Sequence, residues 1–149
     1  MVKVLIKKLD PNVKLPEYKS DGASGMDLLA FIKETINIKP KTSSLIPTGL
    51  SVAFSKNYEI QIRPRSGLAA KKNISVLNTP GTIDSDYRGE IKIIIYNHGN
   101  TEFVINNGDR IAQMILSPVL KIEFEETNDL PETIRGEGGF GSTGKWIWS

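Results

Sequence analysis

Carboxylates, arginines and one glycine-rich stretch are the features of this sequence that could do chemistry. Cysteine is absent and His98 is the only histidine. Thiolate nucleophiles and cysteine-ligated zinc are therefore excluded, and so is a site with several histidines within one chain. A hydrolytic reaction would need a water activated by a carboxylate, together with a divalent metal.

Three aspartates are candidates for that carboxylate. Asp84 and Asp86 lie two residues apart, so on an extended segment their side chains would point the same way. Asp27 lies in a mostly apolar run, Ala23–Ala30, that otherwise reads as a strand, and a charge there needs a partner. Taken singly, each aspartate is better explained by an Asx turn or a buried ion pair than by catalysis.

Five arginines are set among glycines, acids and hydroxyls. Arg65 and Arg135 have no acid immediately beside them, and for these two we favour contact with phosphate, which a planar guanidinium binds bidentately. The other three are interpreted as members of structural ion pairs with nearby acids: Arg63, Arg88 and Arg110.

The segment Arg135–Gly144 contains five glycines. Its last part matches most of the phosphate-loop pattern, but Trp146 stands where Ser or Thr is required and no βαβ context is present, so we reject that assignment. Glycines still let successive N–H groups point at one anion, and Phe140 could stack on a flat ligand. We expect this segment to be mobile until a ligand binds, the alternative being a disordered tail.

The elements that must position these residues are short. Apolar runs rich in Val and Ile are closed by Gly, Pro, Asn or Asp, a pattern typical of an all-β sandwich or barrel. The best helix candidate is Ser66–Lys72. The runs predicted as strands are Val2–Leu9, Leu45–Phe54, Tyr58–Ile62, Ile74–Leu77, Glu90–Tyr96, Glu102–Ile105, Ile111–Leu116 and Lys121–Glu125.

Length and charge limit the classes of function. The chain has 149 residues, which is typical of one domain, and a net charge of +2, too mild for a nucleic-acid footprint. No apolar stretch is long enough for a membrane helix or a signal peptide. We therefore expect a cytoplasmic protein that binds neither nucleic acid nor membrane.

Five segments together resemble the trimeric deoxyuridine triphosphatases (dUTPases), whose motifs occur in the same order. The segments are Ala23–Ala30, Arg63–Gly67, Gly81–Glu90, Gly108–Gln113 and Arg135–Gly144. The resemblance implies a distorted jelly-roll or sandwich-like β fold with at most one short helix, and a homotrimer with active sites shared between subunits. It further implies a β domain with the nucleotide-binding motifs over residues 1–134. Residues 135–149 would be a flexible C-terminal arm that closes over an active site of another subunit.

The reaction implied by the resemblance is hydrolysis of dUTP to dUMP and pyrophosphate with Mg²⁺. This limits uracil incorporation into DNA and supplies dUMP for thymidylate synthesis. By resemblance, Asp84 activates the water that attacks the α-phosphorus, Gln113 is a second catalytic position that contacts phosphate, and Asp27 holds waters of the metal. Tyr87 packs under the deoxyribose and excludes a 2′-hydroxyl.

The remaining positions are implied to bind substrate. Three would read the uracil edge: Asn78, Gly81 and Ile83. Phe140 would stack on the base. The others would contact the phosphates or line their path: Arg65, Ser66, Gly67, Arg135, Gly141, Ser142 and Thr143.

Two rival functions stay open. The first is a deaminase of the same fold that acts on dCTP. The zinc-dependent deaminases are excluded, because they need cysteines that this chain lacks. The second is a non-catalytic dUTP sensor, against which the carboxylate of Asp84 argues.

Overall fold

The computed structural model of the chain describes residues 1–139, which form eleven strands and one helix. The strands are β1 (Leu5–Lys8), β2 (Met26–Leu29), β3 (Ile36–Ile38), β4 (Ser43–Pro47), β5 (Leu50–Ala53), β6 (Tyr58–Arg63), β7 (Ile74–Val76), β8 (Gly81–Ile83), β9 (Lys92–Asn97), β10 (Phe103–Ile105) and β11 (Arg110–Pro118). The helix α1 covers Ser66–Lys72.

The strands pair antiparallel in four sheets. The largest has the order β2-β11-β6-β8, a second has the order β4-β9-β7, and two pairs are formed by β1 with β5 and by β3 with β10. No closed barrel forms within residues 1–139. The all-β fold with a single short helix, predicted from the spacing of the apolar runs, is confirmed.

The core is built from strands that alternate buried and outward side chains. In β9 and the residue before it, Ile91, Ile93 and Ile95 are fully buried, whereas Lys92 between them is exposed. Burying each isoleucine contributes roughly 1.5–3 kcal/mol relative to leaving it in water. This strand therefore fixes the register of β4 and β7 on either side of it.

The helix has the bounds predicted from sequence. It begins after Pro64-Arg65 and ends at Lys72, and the residue that caps it, Asn73, adopts the left-handed conformation with φ 55° and donates its N–H to the carbonyl of Ala69. Lys71 and Lys72 lie in the last turn, where positive charge is favourable to the helix dipole. Among residues 1–139, no helix is long and apolar enough to cross a membrane.

Two of the predicted strands differ in the structure. Leu45–Phe54 is divided into β4 and β5 because Gly49 turns the chain with φ 69°, and a Cβ there would lie 2.5 Å from Val13. Lys121–Glu125 is not a strand: its backbone is unpaired in the described chain and its apolar side chains are exposed, Ile122 to 75% and Phe124 to 87%. The pattern predicted β structure correctly only where the chain itself provides a partner.

Candidate active site

The first cluster of candidate residues lies in one row across the largest sheet. Gln113 of β11 faces Asp27 of β2 on one side and Arg63 of β6 on the other. The Asp27 carboxylate accepts from Arg65 Nε at 2.8 Å and lies 3.4 Å from Arg110 Nη1. Sheet register therefore joins three segments that are far apart in the sequence.

Asp27 has the partner that a carboxylate in an apolar strand requires. Its side chain is 19% exposed and that of Arg65 is 25% exposed. Arg65 also donates from Nη1 to the carbonyl oxygen of Arg110 at 3.2 Å. Two guanidinium groups share one carboxylate, so the cluster keeps a net positive charge, which suits it to a phosphate chain.

Gln113 is held by contacts that the sequence did not reveal. Its Nε2 donates to the carbonyl oxygen of Pro64 at 2.9 Å. A Cβ on Gly25 would lie 2.8 Å from Gln113 Oε1 and 3.2 Å from the carbonyl oxygen of Met114. The absence of a side chain at Gly25 therefore lets the Gln113 amide lie against β2.

Ser66 and Gly67 are next to this cluster in the chain. They form the first residues of α1 and are exposed. A Cβ added at Gly67 would meet nothing within 4 Å. The start of the helix is thus open around Gly67.

The second cluster surrounds the end of β8. Asp84 and Tyr87 line one open cavity of about 290 Å³, together with side chains of β4, β8 and β9 and Glu90. Both residues are exposed, Tyr87 to 44%. The structure brings together the predicted base and the predicted sugar contact on one cavity wall.

Asp84 and Asp86 do not lie on an extended segment, so that prediction is wrong. β8 ends at Ile83, and the next residues form a turn in which the N–H of Tyr87 donates to the carbonyl of Asp84 at 3.1 Å. Asp86 is absent from the residues that line the cavity with Asp84. Of the two carboxylates, only Asp84 is thus on the wall of this cavity.

The three residues expected to read the base lie together. Asn78, Gly81 and Ile83 line a recess of about 30 Å³ beside the larger cavity, and the two share four lining residues: Thr82, Ile83, Lys92 and Ile94. The recess is too small to enclose a base, so a base could meet these groups only at its rim. The Asn78 amide lies close to Gly81, where a Cβ would approach Nδ2 to 3.3 Å.

The two clusters are well separated within one chain. Ile83 faces Ile60 of β6, whereas Gln113 faces Arg63 of the same strand. An ideal flat sheet with strands about 4.8 Å apart and a rise of about 3.3 Å per residue would put the Cα atoms of Asp84 and Gln113 about 16 Å apart. Side chains alone cannot bridge that distance.

Arg135 lies in a turn near the end of the described chain. Its Nε donates to the carbonyl oxygen of Gly138 at 2.7 Å. The remaining predicted contacts lie outside the described residues: Phe140, Gly141, Ser142 and Thr143.

The other arginines have partners that the sequence did not predict. Arg110 does form an ion pair, with Asp27 rather than with its neighbour Asp109. Arg63 donates to the Gln61 side chain, and Arg88 donates to backbone carbonyls of its own turn. Within residues 1–139, Arg63 and Arg88 form no ion pair.

Comparison with known proteins gives a consistent result. The family model described as dUTPase matches residues 11–144. The deoxyuridine 5'-triphosphate nucleotidohydrolase of Rickettsia bellii is 53% identical over 148 residues, covering 99% of each chain. That of Fusobacterium nucleatum is 51% identical and covers 97% of this chain and all of its own, 100%.

Solved structures share the fold. A mutant dUTPase of Staphylococcus bacteriophage 80alpha, solved with dUpNHpp, superposes with a TM-score of 0.85 at 24% identity and covers 96% of this chain and 99% of its own. A mutant dUTPase of the S. aureus phage phi11, described with a structural Mg(II) ion, has a TM-score of 0.78 at 21% identity and covers 87% and 99%. The jelly-roll-like arrangement of the strands predicted from sequence is thereby confirmed.

Proposed function

This chain belongs to the dUTPase family, and we propose that it hydrolyses dUTP to dUMP and pyrophosphate by attack of water on the α-phosphorus. The observation that carries the mechanism is that Asp84 and Tyr87 line the same open cavity. A carboxylate that can take a proton and a ring that can pack against a sugar then lie on one wall of the cavity that would hold the nucleotide. The reaction would limit uracil incorporation into DNA and supply dUMP for thymidylate synthesis.

In this mechanism Asp84 is the general base. The exposed carboxylate accepts a hydrogen bond from water and takes its proton as the oxygen attacks the α-phosphorus. The new bond joins that oxygen to the α-phosphorus, and the bond to the bridging oxygen of the β-phosphate breaks. Pyrophosphate leaves, and Asp84 returns the proton to solvent.

Recognition of sugar and base is assigned to the residues around β8. Tyr87 would lie under the deoxyribose and leave no room for a 2′-hydroxyl. Backbone groups of Gly81 and Ile83 cannot exchange donor for acceptor as the Asn78 amide can, so they would discriminate uracil from cytosine.

Phosphate binding is assigned to the first cluster and to the C-terminal arm. Arg65 and Gln113 are held in fixed orientation by Asp27 and by Pro64, which lowers the cost of ordering them around a triphosphate. Ser66 and Gly67 would contact the α–β bridge from the open start of α1. The arm, residues 135–149, would add Arg135, Gly141, Ser142 and Thr143, and Phe140 would cover the uracil.

The donor set fits Mg²⁺ bound mainly by substrate. Among residues 1–139 no group of three or more acidic or histidine side chains is placed to hold a metal. Mg²⁺ commonly keeps several waters and binds substrate phosphates with few protein ligands, and Asp27 is the carboxylate in the phosphate cluster that could hold those waters. When bound, the ion would neutralise charge on the phosphates.

A homotrimer with shared sites is supported by two features of the described chain. The separation of about 16 Å between Asp84 and Gln113 suits a site completed by a second subunit. After β11 the chain also exposes alternating apolar side chains, Leu120 to 92%, Ile122 to 75% and Phe124 to 87%, which a neighbouring subunit would cover.

The experiment is to compare Asp84→Asn with Asp86→Asn. Asp86 is an exposed aspartate of the same turn, so it controls for charge and for the local fold. Asp84→Asn should lose at least about 100-fold in pyrophosphate release while still binding dUTP, and Asp86→Asn should stay near wild type. A fully active Asp84→Asn protein would refute the mechanism.

An ammonia assay with dCTP, run beside the pyrophosphate assay, separates the rival functions. A dCTP deaminase would release ammonia from dCTP, and a sensor would bind dUTP without releasing pyrophosphate from any nucleotide.

A further inference from the structure

We propose that Gly89 is a specificity-determining position. Together with the backbone of Glu90, it fixes the Tyr87 ring where the ring can exclude a sugar with a 2′-hydroxyl. The inference rests on the proposed role of Tyr87 and adds the device that holds it. Gly89 acts through Tyr87 and is therefore a positioning residue.

Gly89 leaves the space that the edge of the Tyr87 ring occupies. A Cβ built on Gly89 would lie 2.3 Å from the Tyr87 hydroxyl oxygen, 2.5 Å from Cζ and 2.9 Å from Cε2. Non-bonded heavy atoms in proteins do not approach one another this closely, so the hydroxyl edge of the tyrosine ring occupies the place where a Cβ of residue 89 would lie. The backbone of Gly89 is outside the left-handed region, since it is absent from the residues with positive φ. Glycine is needed here for space and not for backbone conformation.

A hydrogen bond also holds the tip of the ring. The Tyr87 hydroxyl donates to the carbonyl oxygen of Glu90 at 3.0 Å. Contact along the ring edge and a hydrogen bond at its end together define one orientation for a side chain that is 44% exposed. An exposed tyrosine without such contacts would sample several rotamers.

The acceptor itself is held firmly. Glu90 Oε1 accepts the N–H of Gly49 at 2.9 Å, and the next residue, Ile91, is fully buried. The N–H of Ile91 donates to the carbonyl of Leu50 at 2.8 Å, and its carbonyl accepts from the Thr48 hydroxyl at 2.6 Å. The Glu90 carbonyl that orients Tyr87 is thus held in place by hydrogen bonds to the turn between β4 and β5 and by the burial of Ile91 in the core.

These contacts predict what an added methyl group would do. In Gly89→Ala, the atoms in the way belong to the far end of a rotatable side chain, and the backbone has no reason to move. The protein should fold with the ring displaced from the cavity wall. Space for a 2′-hydroxyl would open even though Tyr87 is still present.

The experiment measures kcat/KM for UTP and dUTP in the intact protein with Mg²⁺. Wild type is compared with Gly89→Ala, Tyr87→Ala, the double variant and Gly22→Ala. Gly22 is the matched control, because a Cβ there would meet nothing within 4 Å and its φ is not positive. Thermal unfolding of each variant reports on the fold.

Gly89→Ala should raise the UTP to dUTP ratio by at least about tenfold, with the change mainly in KM for UTP, and Gly22→Ala should leave the ratio unchanged. The double variant should match Tyr87→Ala, because the added methyl group acts only on the ring. If Tyr87→Ala admits UTP and Gly89→Ala does not, this inference is wrong, whereas the proposed role of Tyr87 in excluding a 2′-hydroxyl stands. If Tyr87→Ala itself excludes UTP as wild type does, the proposed role of Tyr87 fails, and this inference fails with it.

Discussion

The separation of the two clusters leads to a quantitative prediction about mixed trimers. If Asp84 of one subunit acts with Arg65 and Gln113 of another, Asp84→Asn and Arg65→Gln damage different chains of the same site. Each variant alone should lose at least about 100-fold in turnover, since one lacks the base and the other lacks a charged phosphate contact.

Random reassembly of the two variants in equal amounts should restore part of the activity. A site works when the chain that donates Asp84 and the chain that donates Arg65 are both intact at those positions. Each condition is met with a probability of one half, so about one quarter of the sites should be active in a symmetric trimer.

The assay is pyrophosphate release after the variants are unfolded together and refolded, with a same-cluster pair as the control. Arg65→Gln mixed with Gln113→Ala should give no recovery, because both residues come from one chain in the first cluster. If Asp84→Asn with Arg65→Gln recovers no more than this control after confirmed subunit exchange, the sites are contained within single subunits and the reasoning from sheet register is refuted.

Three further predictions concern single residues. Gly25→Ala should push the Gln113 amide away from Pro64, because the new Cβ would lie 2.8 Å from Oε1, and should lower kcat/KM for dUTP by about 100-fold; unchanged kinetics would show that Gln113 needs no such placement. Asp27→Asn should raise KM for dUTP, because it frees Arg65. It should also raise the Mg²⁺ concentration for half-maximal rate, because it removes the carboxylate proposed to hold the waters of the metal. A metal titration identical to that of wild type would count against this role. Ile95→Ala should lower the free energy of unfolding by about 2–5 kcal/mol, because the side chain is fully buried at the centre of β9. Urea unfolding measures this loss. A loss below about 1 kcal/mol, which is on the order of a surface substitution, would contradict the packing described.

Local patterns in the sequence were sufficient for much of the fold. The bounds of α1 match the predicted helix Ser66–Lys72, and the Val- and Ile-rich runs indicated the positions of most strands. Short strands such as β3 and β8 were missed, because three residues carry too little alternation to distinguish a strand from a loop.

Long-range contacts could not be read from local patterns. Nothing near Asp27 in the sequence indicates that its partners are Arg65 and Arg110, since these meet only through the pairing of β2 with β11 and the turn after β6. The roles of Gly25 and Gly89 depend on the placement of a side chain over each glycine. The only signals that the sequence offered are that Gly25 comes directly before a strand and that Gly89 comes two residues after a tyrosine in a turn.

The resemblance carried the functional assignment further than the residues alone. Any of the carboxylates, taken singly, is better explained as a structural group, and only the order of five motifs selected Asp84. The cavity that Asp84 shares with Tyr87 gives that selection a physical basis.

The position of the new phosphorus–oxygen bond tests the central claim most directly. Turnover of dUTP in water enriched in oxygen-18, followed by mass spectrometry of both products, shows which phosphorus the water attacks. Attack on the α-phosphorus predicts one labelled oxygen in dUMP and none in pyrophosphate. Label in pyrophosphate, with none in dUMP, would contradict a water activated by Asp84 next to the nucleoside.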